Sequence, residues 1–134
     1  MEPEITATLV LCFDTDFEME KITKAIGLQP TSSQQYSLCR VNPVTMERNC
    51  AYWEIQTDTI KSYDSEDAQN QLLSMIQDSL GRIKEVLHCF KGGAIFRLNV
   101  YAYPEDPPAL MFEQRFLSAV QYLNAKLDIV ISIL

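Results

Sequence analysis

Four groups of residues are candidates for chemistry, and the first is the acidic run Asp14, Asp16, Glu18 and Glu20. Alternating carboxylates of this kind suggest a calcium loop. A twelve-residue calcium loop also needs Gly at its sixth position and a bidentate Glu at its last. Those positions hold Met19 and Ala25, so the run reads as first-turn carboxylates that complement a helix dipole. The second group is His88 with Cys12, Cys39, Cys50 and Cys89. His88 and Cys89 are neighbours on a helix, where their side chains diverge by about 100° and share a metal poorly. A nucleophilic site with Cys12 or Cys50 brought to His88, and Glu54 close by, is the enzyme reading. A single His and mostly apolar thiol surroundings weigh against it. Cys39 and Cys50 form the third group. They face each other across a symmetric hairpin, either as reduced neighbours or as a redox switch, and reduced packing is the expectation for all four thiols.

The fourth group is polar and aromatic: Tyr52, Glu54, Arg97, Asn99 and Tyr101, joined by Thr6, Thr8 and Asp128. Its members occupy alternate positions of apparent strands, so one sheet face gathers them. Ile5 to Phe13 alternates with period two, and further strands are read about Gln35 to Val41, Cys50 to Thr57 and Ala94 to Tyr103. Asn42-Pro43 marks the hairpin turn, and Trp53 falls on the core side with Ala51 and Ile55. Thr15-Asp16-Phe17-Glu18 reads as a capping box that opens a helix carrying Met19, Ile22 and Ile26, which Gly27 stops and Pro30 prevents from continuing. Asp64 or Ser65 caps a second helix, with Leu73, Ile76, Leu80, Ile83 and Leu87 at helical spacing and Gly81 as a kink or division. Gly92-Gly93 ends it. Pro104 to Pro108 makes a rigid loop, a third helix runs about Glu113 to Asn124, and Leu127 to Leu134 is a strand apolar enough to be paired on both sides or covered.

This order, β-α-β-β-α-β with an appended α-β, predicts one α+β domain over residues 1–134. The expected form is ferredoxin-like, a mostly antiparallel sheet with helices on one face. Such a sheet leaves its other face to be solvated, dimerised or bound. The plain alternative for the polar set is a solvated face on which Glu54 and Arg97 pair across strands.

Composition narrows the classes of function. The chain has 134 residues, a net charge of −7 and an apolar fraction of 47%, which supports a packed core rather than disorder. Its eleven basic residues are scattered, so no nucleic acid and no anionic membrane is expected as partner. Met1-Glu2-Pro3-Glu4 lacks the features of a secretory leader, and no apolar run approaches the roughly 20 residues that span a bilayer. A soluble, cytoplasmic protein is expected. No phosphate-cradling Gly loop, Gly-x-Ser-x-Gly elbow or His-Glu-x-x-His motif occurs, so no catalytic residue, metal site or cofactor is assigned.

Ile22-Thr23-Lys24-Ala25-Ile26-Gly27-Leu28-Gln29-Pro30-Thr31, the Trp53 hairpin, and Leu123-Asn124-Ala125-Lys126-Leu127-Asp128-Ile129 resemble a bacterial family, domain of unknown function 4279. The likeness covers nearly the whole chain. It departs at Ser32-Ser33-Gln34-Gln35, where Gly and Lys are usual, and at Val130, where a second acidic residue is common. The family has no assigned activity, so the resemblance implies a compact bacterial single-domain protein. The preferred functional expectation is a binding or interaction module without catalytic activity, with a protein partner, a small ligand or a second copy on the open face or at an edge strand. The alternatives are an immunity-type protein that neutralises a basic toxin, and a small enzyme with a cleft built from Cys, Glu54 and His88.

Overall fold

The computed structural model describes residues 2–14, 18–34 and 51–134. Its elements run β1 (Glu4–Phe13), α1 (Met19–Ile26), β2 (Ser32–Gln34), β3 (Ala51–Gln56), β4 (Ile60–Lys61), α2 (Glu66–Ile76), a 3-10 turn (Gln77–Ser79), α3 (Leu80–Cys89), β5 (Gly92–Ala102), α4 (Gln114–Tyr122) and β6 (Lys126–Ile133). The fold is α+β, with one open sheet ordered β2-β3-β1-β5-β6 and β4 joining the start of β1. Every pairing is antiparallel except β5 with β6. That exception follows from α4, which returns the chain to its starting end.

β1 sits at the centre because both of its faces are buried: Ile5, Ala7, Leu9, Leu11 and Phe13 on one side, Thr6, Thr8 and Val10 on the other. The odd-numbered side is the helix side. Its residues share one apolar cluster with Ile22 and Ile26 of α1, Leu72 and Ile76 of α2, Ile83 and Val86 of α3, and Phe116 of α4. Trp53 belongs to that cluster and is fully buried. Its indole N–H donates to Thr23 Oγ1 at 3.2 Å, which satisfies the one polar atom of the ring.

The family-like stretch on α1 has a structural explanation. Thr23 holds Trp53, and Gly27 takes the left-handed conformation at φ 81° and closes the helix by donating to the Thr23 carbonyl. Thr31 donates its amide to the Glu54 carbonyl at 2.8 Å and accepts from the Gln56 amide at 2.9 Å. Together they clamp α1 to β3.

Several expectations need correction. Glu18 itself stands at the N-cap of α1, and its side chain makes no capping bond; Thr15 lies outside the described residues. The division between α2 and α3 falls at Gln77–Ser79, ahead of Gly81. Gly92-Gly93 opens β5 rather than ending a helix. The left-handed residue there is Lys91, at φ 54°, while Gly92 is needed because a Cβ would sit 2.4 Å from the Phe13 ring. β2 at Ser32–Gln34 and the short β4 carry too few residues for a period to show. The expected strand about Gln35 to Val41, the Asn42-Pro43 turn, and the Cys39–Cys50 pairing fall outside the described residues. β6 departs from its expectation: among the described residues it is the edge of the sheet, and all but one of its own residues are exposed.

Candidate functional site

The sheet face opposite the helices is built in rows, because residues paired across strands point to the same side. Tyr52 lies beside Cys12, Glu54 beside Val10, and Gln56 beside Thr8. On the other flank of β1, Thr8 neighbours Arg97, Thr6 neighbours Asn99, and Glu4 neighbours Tyr101. The rows continue onto β6 as Arg97 beside Asp128, Asn99 beside Val130, and Tyr101 beside Ser132. Tyr52, Glu54, Arg97, Asn99 and Tyr101 therefore share one face. Tyr101 is exposed and the other four are half-buried.

Sharing a face does not bring them together. Tyr52 and Tyr101 are paired with Cys12 and Glu4, eight positions apart on β1, so at about 3.3 Å per residue the two residues stand roughly 26 Å apart along the strand direction, on strands that flank β1 on opposite sides. A single small molecule cannot touch both. An extended partner can.

The local bonds differ from a Glu54–Arg97 pair across strands. Arg97 Nε meets Asp128 Oδ2 at 3.3 Å, with the two side chains 34% and 52% exposed. Glu54 is not its partner, because β1 separates β3 from β5. A pair this open contributes about 0–1 kcal/mol, so it orients Arg97 more than it stabilises the sheet. The Ser32 hydroxyl donates to the Tyr52 phenol oxygen at 3.1 Å, fixing that ring tip. Thr8, at the centre of the row formed with Gln56 and Arg97, is 2% exposed, and its hydroxyl has no hydrogen-bond partner among the described residues.

Among the described residues the enzyme set does not converge, and Cys50 lies outside them. Cys12 and Glu54 lie on the open face, whereas His88 is exposed on α3 in the helix layer. Cys89 is exposed, against the expectation of a buried thiol. Among the described residues no group of three His, Cys, Asp or Glu side chains is placed to hold a metal ion. No described helix is long and apolar enough to cross a membrane.

Sequence reasoning missed a groove between the α2–α3 junction and α4, lined by Leu73, Gln77, Leu80, Arg115, Ser118 and Tyr122. Arg115 donates to Gln77 Oε1 at 2.9 Å, and the Lys84 ammonium stands 4.3 Å from the Tyr122 ring centre. These partners belong to different helices, so no single sequence window displays the groove.

Fold and face together define a small α+β domain with a polar-aromatic sheet surface. The chain belongs to the family described as a domain of unknown function, DUF4279, which matches residues 3–134. No curated protein and no solved structure matches it.

Proposed function

We propose that the protein is a soluble, cytoplasmic interaction module of bacterial origin, acting without catalysis, whose open sheet face binds an extended partner protein. The observation that supports this reading is the roughly 26 Å spread of Tyr52 and Tyr101 along rigid strands, with Glu54, Arg97 and Asn99 between them. Rings on strands lose little freedom on contact, and Tyr and Arg are favoured anchors of protein interfaces. The partner needs no single deep cleft. A net charge of −7 favours a basic partner kinetically, which keeps toxin neutralisation as the second reading. Genes directly beside this one separate the two readings: a toxin gene there supports neutralisation.

The test is the double substitution Tyr52→Ala with Arg97→Ala. Cross-linked partners recovered by the wild-type protein from its host are expected to be lost, while the far-ultraviolet dichroism stays unchanged. Undiminished recovery of the same partner by the double variant rejects the open face.

A further inference from the structure

We infer that β6 is the seam of a homodimer, pairing antiparallel with β6 of a second copy about a two-fold axis at Val130. The inference concerns the outer edge of β6, where the open face ends, and stands without that reading.

The backbone supplies the first argument. The Leu134 amide donates to the Ala102 carbonyl at 2.9 Å. By the alternation of a strand, even-numbered residues of β6 then bond toward β5, and the amides and carbonyls of Leu127, Ile129, Ile131 and Ile133 point away from the sheet. Among the described residues no strand receives them. Edge strands that must stay single are kept short, or carry lysines, prolines or bulges. β6 has eight residues, no proline, and charges only at Lys126 and Asp128.

Side chains supply the second. Leu127, Ile129 and Ile131 stand beside Phe96, Leu98 and Val100 on the helix side of the sheet. Those three neighbours are buried, yet along the edge Leu127, Ile129, Val130, Ile131, Ile133 and Leu134 are 36–63% exposed. These six residues expose about 500 Å² per copy, so a seam that covers them in full would bring two copies to the roughly 1,000 Å² that separates specific interfaces from incidental ones.

Self-complementarity selects the occupant. In an antiparallel pair related by a two-fold axis, opposed residues share a face. Centring the axis on Val130 sets Ile129 against Ile131 of the second copy, Leu127 against Ile133, and Asp128 against Ser132. The apolar stripe meets itself along its length, the outward backbone groups fall into hydrogen-bonded pairs, and no like charges are opposed. Centring on Asp128 would oppose two carboxylates and leave Ile133 unmatched. The chain carries a net −7, but β6 carries one Lys and one Asp. The edge is therefore locally neutral, so it suits a copy of itself better than a basic stranger. Such isologous contacts close after two copies and do not propagate.

Sedimentation velocity on the full chain tests this. The wild type is expected to sediment as a dimer, and Ile131→Lys as a monomer with unchanged dichroism. Ile131→Thr, which keeps the β-branch, is expected to weaken the dimer and covers the case in which the lysine variant fails to fold. Val130→Cys is expected to yield a reducible covalent dimer under mild oxidation, well above wild type and above Asp128→Cys, since Val130 faces itself across the axis and Asp128 does not. A wild type that stays monomeric overturns the inference. So does a dimer insensitive to both Ile131 variants, a dimer dispersed only by Tyr52→Ala with Arg97→Ala, or cross-linking through Asp128→Cys that equals Val130→Cys.

Discussion

Trp53 illustrates how one side chain sets the identity of both sheet faces. Fully buried and bonded to Thr23, it fixes the odd-numbered positions of β3 inward, and Tyr52 and Glu54 must then point to the open face. Trp53→Ala is expected to destabilise the fold by about 3–5 kcal/mol, measured by denaturant unfolding. A midpoint equal to wild type would exchange the faces and void the site. The inward position of Trp53 was legible because Ala51 and Ile55 repeat its parity. The partner of Arg97 was not: choosing Asp128 over Glu54 depends on strand order, which is set by contacts distant in sequence.

Among the elements, the ones with a clear hydrophobic period were readable and the ones defined by their neighbours were not. β1, β3 and β5 show alternation, and α1 shows its apolar stripe and its Gly27 stop. β6 is read from its apolar content, with Leu127, Ile129, Ile131 and Ile133 on one face and Asp128, Val130 and Ser132 on the other, but its edge position follows only from the finished topology. The loop from Tyr103 to Glu113 likewise owes its shape to distant groups. Ser65 Oγ and Gln69 Nε2 both donate to the Met111 carbonyl at 2.7 Å, and Gln69 Oε1 accepts from the Glu113 amide at 2.9 Å. On the same loop the Tyr63 hydroxyl donates to Asp106. That bond, the largest influence on each, raises the Tyr63 pKa and lowers that of Asp106. A depressed carboxyl stabilises the fold above its ordinary pKa and stops doing so as pH falls through the lowered one. A raised phenol stabilises below its ordinary pKa and stops as pH climbs through the raised one. Tyr63→Phe is therefore expected to lower the melting temperature slightly near neutral pH. The deficit should vanish in strong acid, where Asp106 is protonated, and shrink at alkaline pH. A deficit independent of pH would mean that the hydroxyl acts by packing.

At the scale of the whole molecule, two surfaces suit two kinds of contact. β6 offers outward backbone groups and an apolar stripe suited to a second copy, whereas the open face offers anchored aromatic and charged groups suited to a different chain. Assembly through β6 would extend one continuous sheet, with the helix layers of both copies on the same side and the two open faces joined into a wider platform. The central claim is that the open face is where the partner binds, and site-specific photocross-linking in the native cell tests it most directly. A benzophenone amino acid at Tyr101, on the open face, is compared with the same residue at Tyr122, on α4; the two native rings are 40% and 44% exposed. The account predicts a discrete adduct with another protein from position 101 and none from position 122. An adduct from 122 with none from 101 would contradict it.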